Sequence, residues 1–190
     1  EMVTGFDLVS EQLRIANGET LGLQQDDIGQ TGHSIELRIC AENADADFLP
    51  AIGDILLMDE PGGPGVRVDS GILQGGKVST DFDPMLSKLI VHGRDRADAI
   101  SRARCAAKDY VILGVTTNLG YLDAILAHPK FASADISTGF LSEEAEALKS
   151  TQSPGSADIL MAATALSDAR LVTAVEQVPE IYRMMGGWRN

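Results

Sequence analysis

The stretch from His33 to Glu42, "HSIELRICAE", constrains the fold more than any other part of the chain. Ile35, Leu37 and Ile39 point one way, while Glu36, Arg38 and Cys40 point the other. A period of two sends successive side chains to opposite faces of a strand. This strand therefore lays one apolar face on a core and offers Glu36 and Arg38 on its other face.

Further short strands follow in "DILLMD" and "GVRVD", which the turn-rich "EPGGPG" separates, and then in "KLIVHG" and "YVILG". Helical patterns occupy Asp7 to Asn17, with Gly18 as a stop, and Asp95 to Asp109, "DRADAISRARCAAKD". "TTNLGYLDAILAHP" is a helix that ends at Pro129, and "ADISTGFLSEEAEAL" closes the compact part. Between the first helix and the first strand, "QQDDIGQTG" is a polar connector. Strands come first and the longer helices later, without regular strand–helix alternation. That order predicts an α+β domain with an antiparallel β-sheet packed with helices, rather than a parallel doubly wound one.

The expected domain spans residues 1–148. From Lys149 the composition shifts to the small-polar linker "KSTQSPGS", then to the helical "ADILMAATALSDARLV", and the chain stops on "GGWRN". Residues 149–190 read as a helical linker and the start of a next region. The opening "EMVTGFDLVSEQ" lacks an initiator Met and a signal-peptide core, so the chain reads as a piece of something longer.

A net charge of -13 repels phosphate backbones and anionic lipid, which argues against nucleic acid and membrane partners. No apolar run is long enough to span a bilayer. Cys40 and Cys105 stand far apart, without a CxxC pair or a Cys/His cluster. No metal site is expected, and two free thiols fit a reducing compartment.

Local motifs are weak. Gly71 to Lys77, "GILQGGK", has the glycine spacing of a phosphate loop, but Val78 stands where Ser or Thr would hold magnesium. No helix start follows it either, so a glycine hairpin between strands is the better reading. His33, His92 and His128 are scattered, and no hydrolase elbow or metalloprotease motif is present. Two polar clusters remain. Glu36 and Arg38 share a strand face; a solvent-facing Arg is the ordinary case, and a fork of donors for an oxyanion is the alternative. Asp81, Asp83 and Lys88 surround a Pro-bounded turn, where Asp83 serves as a turn or helix-cap residue or as part of a site.

Together the stretches are far more specific than singly. "GHSIELRICAE", "FLPAIGDI", "PGGPGVRVDSG", "FDPMLSKLIVHG", "DRADAI", "ILGVTTNLGYL" and "DISTGFL" follow one another in that order. Over about residues 1 to 146 the chain resembles the C-terminal domain of biotin carboxylase, of the kind found in the α subunit of acyl-CoA carboxylases of acetyl or propionyl type. The resemblance implies a ligase that uses ATP, Mg2+ and bicarbonate to carboxylate biotin held on a carrier domain. "EMVTG" resembles the end of the family's "HPVTEMVTG" stretch, so the phosphate-covering loop, the magnesium carboxylates and the general base would precede this chain, which alone is expected to be inactive.

By the same resemblance Arg38 is the catalytic arginine at the biotin ureido oxygen, and Asp83 lies near that site and the subunit contact. The resemblance also implies that Arg67 belongs to a homodimer interface and that Thr138 contacts the adenine. The tail resembles the region leading to the docking site for a carboxyltransferase subunit. Cytoplasm is the expected compartment, with the mitochondrial matrix as the alternative. The chain departs from the family in "RICAEN", for "RINAED", and in "STDFD", for "PPYYD". A rival reading of the same fold is a non-catalytic dimerisation and docking module.

Overall fold

A computed structural model describes residues 1–149. The helices are α1 (Leu8–Ala16), α2 (Arg96–Asp109), α3 (Leu119–Ala127), α4 (Pro129–Ala132), α5 (Phe140–Glu143) and α6 (Ala145–Leu148). The strands are β1 (His33–Cys40), β2 (Glu42–Asn43), β3 (Leu49–Pro50), β4 (Gly53–Asp54), β5 (Leu57–Asp59), β6 (Val66–Ser70), β7 (Lys77–Val78), β8 (Met85–Gly93) and β9 (Val111–Leu113). The linker and helices expected from Lys149 onward lie, but for that residue, outside the described residues.

Every strand pairing among the described residues is antiparallel, as the order of elements predicts. The main sheet has the order β1-β8-β6. Ile35, Leu37 and Ile39 face its buried side, where they meet Leu89 and Val91 of β8. Helix α2 covers that side with Ala99, Ala103, Ala106 and Ala107, all buried. Alanines let a helix backbone lie close to a sheet. The approach is close enough that a Cβ on Gly93 would overlap the backbone of Ala99.

Helix starts follow their caps. Asp95 accepts from the Asp98 amide at 2.8 Å and Asp7 accepts from the Ser10 amide at 2.9 Å. Each satisfies an amide that has no partner within the helix. Gly18, at φ 90°, ends α1 in a conformation that suits glycine.

The stretch "DILLMD" is two strands rather than one. Gly53–Asp54 pairs with β7, while Leu57–Asp59 pairs with β9. Between them Ile55 is sunk in the core and Leu56 is exposed. Gly114 (φ 109°) ends β9 beside the Asp54 carbonyl, where a Cβ would overlap that oxygen. The expected glycine hairpin does not form either. Leu73–Gly76 is a tight turn, but the strands it joins pair elsewhere, β6 with β8 and β7 with β4. A strand and not a helix follows Lys77, so no helix N-terminus faces a phosphate there.

The histidines serve the scaffold. His33 meets Arg96, which also donates to the Phe131 carbonyl and stacks on that ring at 4.7 Å. His92 bonds to the Thr31 carbonyl at 2.9 Å, and His128 accepts from the Lys130 amide. Near His128, the Lys130 ammonium bonds Glu144 and holds its carboxyl below the usual carboxylate range. A lowered folded-state pKa gives stability that is complete above the unfolded value and is lost as pH falls through the folded one. Wild type should therefore melt above Glu144→Gln at neutral pH. The gap should narrow below about pH 4, near the ordinary carboxylate range. Melting curves over that range check it; a gap that widens on acidification contradicts the pairing.

Candidate functional site

The outer face of the main sheet is set by register. Across the three strands Glu36 stands opposite Ile90 and Ile90 opposite Arg67; in the next row of that face Arg38 stands opposite Lys88 and Lys88 opposite Asp69. Opposed positions on one face lie within side-chain reach. Three cations and two carboxylates thus share this face. A shallow groove runs over it, walled on its far side by Glu1–Val3 and by Leu8 and Val9 of α1.

The two arginines are occupied differently. Arg67 donates from Nε and Nη2 to the two carboxylate oxygens of Asp69, at 2.7 and 3.0 Å, and from Nη1 to Glu1 at 2.8 Å. Asp69 first, then Glu1, push its pKa up, so its charge is fixed. Arg38 donates from Nε to Glu36 at 3.1 Å. Among the described residues its Nη groups meet no acceptor, and its side chain is 68% exposed. An ion pair this exposed adds little stability. What Glu36 supplies is direction, since it holds one edge of the guanidinium and leaves the other edge open.

Beside Arg38 the strand bulges between Ile39 and Cys40. Cys40 comes opposite Met85, which brings in the turn that carries Asp83. Burial first, then Glu42 and Asp83, raise the Cys40 thiol pKa against the opposing pull of Arg38. The thiol therefore stays protonated at neutral pH and is no nucleophile. Asp83 is exposed and precedes a strand, so it caps no helix. The expected trio of Asp81, Asp83 and Lys88 is split. Asp81 accepts from Ser79, whereas Lys88 stands on the sheet between Arg38 and Asp69. Thr138 is exposed in the turn before α5. No hydrogen bond or ion pair among the described residues joins it to Arg38, Asp83 or Arg67.

Asn118 carries no mark of a site in the sequence. Its Oδ1 accepts from the Cys40 amide at 3.0 Å, its Nδ2 donates to the Arg38 carbonyl at 3.1 Å, and its own amide donates to the Cys40 carbonyl at 3.1 Å. The strand edge it meets lies 78 to 80 residues away in sequence. The local signal, an Asn before an apolar helix in "TTNLGYL", reads as an ordinary cap.

The arrangement offers an oriented, permanently charged donor fork beside a carboxylate, on a rigid strand. Among the described residues no group of three or more His, Cys, Asp or Glu side chains gathers to hold a metal ion. No described helix is long and apolar enough to cross a membrane.

Comparisons with known proteins converge on one family. The chain is 41% identical over 168 residues to the α subunit of mitochondrial methylcrotonoyl-CoA carboxylase of Dictyostelium discoideum, covering 87% of this chain and 24% of that protein. It is 46% identical over 143 residues to the biotin carboxylase of a Nostoc species, covering 75% of this chain and 32% of that one. The chain thus spans about a quarter to a third of the length of these relatives. Its fold superposes with a TM-score of 0.75, at 38% identity, on the biotin carboxylase domain dimer of Hydrogenobacter thermophilus 2-oxoglutarate carboxylase, solved with MgADP, ADP and bicarbonate; 78% of this chain and 33% of that one are covered. The family model described as biotin carboxylase C-terminal domain matches residues 36–143, from Glu36 beside the open arginine to the end of α5, and the chain belongs to that family.

Proposed function

We propose that these residues are part of a longer biotin carboxylase, which uses ATP and bicarbonate to carboxylate biotin on a carrier domain within an acyl-CoA carboxylase. The observation that carries this reading is the guanidinium of Arg38. It is exposed, aimed by Glu36 and unpaired at its Nη groups among the described residues. Removing the N1 proton of biotin drives charge onto the ureido oxygen. A group that must stabilise that oxygen has to donate and keep its charge. Arginine meets both demands, since it has no acceptor and does not lose its proton in proteins. Asp83, an acceptor when ionised, cannot serve there; beside the site it would orient the cation or contact the second subunit.

On this reading ATP and Mg2+ are bound mainly by the part of the protein outside this chain. When bound, they supply the activated phosphate that carries bicarbonate. What this domain contributes is the wall that receives biotin. Thr138, in the turn before α5, would pack beneath the adenine. Residues 1–190 alone would not hydrolyse ATP.

An acyl-CoA carboxylase is preferred because the match to the methylcrotonoyl-CoA carboxylase protein, 168 residues long, runs past the described residues into the tail. The partners on this reading are the biotin carrier and a carboxyltransferase subunit. Two unpaired thiols suit the cytoplasm or the mitochondrial matrix. The test is ATP hydrolysis by the full-length protein, which should need bicarbonate and biotin together. Hydrolysis indifferent to biotin removes the reading.

Arg67 fits a homodimer interface. Asp69 and Glu1 hold its guanidinium rigid at the sheet edge. In Arg67→Glu a third carboxylate would join Asp69 and Glu1, and the full-length protein should sediment as a monomer. A dimer unchanged in sedimentation removes the interface role.

A further inference from the structure

We infer that Asn118 is a positioning residue that holds the catalytic arginine through its backbone; the inference rests on the role proposed for Arg38. Among the described residues β1 is an edge strand, paired with β8 on one side. On its free side three backbone groups around the bulge, the Arg38 carbonyl and both polar groups of Cys40, are taken by Asn118. The amide orientation is unambiguous, because a backbone N–H can only donate and a carbonyl can only accept. Asn118 therefore stands where a further strand would pair, and fixes three successive peptide units, the first of them that of the residue whose side chain must be aimed.

Two facts show that this use of Asn118 is specific. It is the N-cap of α3, and an Asn there ordinarily accepts from its own helix. Here its side chain makes no capping bond and turns to β1 instead. Asn118 is also buried at 8% exposure, one of two polar residues that are among those described, so its amide is withheld from water and committed to these bonds. A bulged edge strand without such a partner is free to shift its backbone. A displacement of about 1 Å in a catalytic group can cost roughly 100-fold in rate.

The test uses the full-length protein with free biotin. Asn118→Ala and Asn118→Ser should each lower the kcat of biotin carboxylation roughly 10- to 100-fold, with the KM for ATP unmoved. Serine is the informative variant. It can cap α3 itself, which preserves the helix start, but it is too short to bridge to β1. In the Arg38→Ala background the Asn118→Ser change should add no further loss, because its effect passes through the arginine. Full turnover in folded Asn118→Ser overturns the inference, as does a loss that multiplies with that of Arg38→Ala. An Asn118→Ser protein that does not fold assigns the residue to stability alone and overturns it as well. Wild-type turnover in Arg38→Ala is a different failure, since it removes the functional reading beneath the inference whatever Asn118 does.

Discussion

Arg38→Ala in the full-length protein should lower biotin-dependent turnover by roughly 100-fold or more, the usual cost of losing one oxyanion donor. The fold should be unaffected, since the lost ion pair to Glu36 is exposed and of small energetic value. The dimer should persist, because Arg38 and Arg67 sit two strands apart in the sheet. Arg38→Lys should recover only part of the rate. An ammonium carries the charge but lacks the planar fork, and it cannot be held along one edge by Glu36 while presenting the other edge. Steady-state kinetics of the two variants decide between a role for the fork and a role for charge alone. Equal rates for lysine and arginine would leave charge as the whole effect.

Leu89→Ala should cost about 2–5 kcal/mol of folding stability. Leu89 lies on the central strand, opposite Leu37 in β1 and Val68 in β6, with no exposure. It packs in the core that α2 covers, where a cavity has little means to collapse because the surrounding alanines are too short to fill it. Domains of this size are stable by roughly 5–15 kcal/mol, so the loss is a large share. Denaturant unfolding of the 190-residue chain measures it. A shift below about 1 kcal/mol would show that the core centre is not at this strand.

Elements whose signals are local were legible in the sequence. The alternation of "HSIELRIC" sent Ile35, Leu37 and Ile39 inward, and all three are buried. Asp95 and Asp7 marked helix starts that the structure caps with those side chains. Elements set by distant partners were not legible. The two-residue ladders β2–β3 and β4–β7 are too short to show a period. "DILLMD" reads as one strand because nothing local shows that its ends pair with β7 and β9. "GILQGGK" reads as a hairpin because glycine reports a turn, not which strands the turn joins.

The site divides in the same way. Arg38 and Glu36 are two residues apart, so their shared face follows from the strand period. The gathering of Asp83 near Cys40, and the seat of Lys88 between Arg38 and Asp69, depend on the register with β8. Asn118 was hidden because its bonds cross about 80 residues of sequence, while its local context points to α3.

The role proposed for Arg38 is to stabilise charge on the biotin oxygen. Transfer of isotope from labelled bicarbonate to biotin, by full-length wild type and Arg38→Ala side by side, addresses it most directly. Label should reach biotin in an ATP-dependent way with wild type and fall to roughly one hundredth or less with the variant. Equal labelling by the two proteins would contradict the role of Arg38, and no labelling by wild type would contradict the enzyme itself.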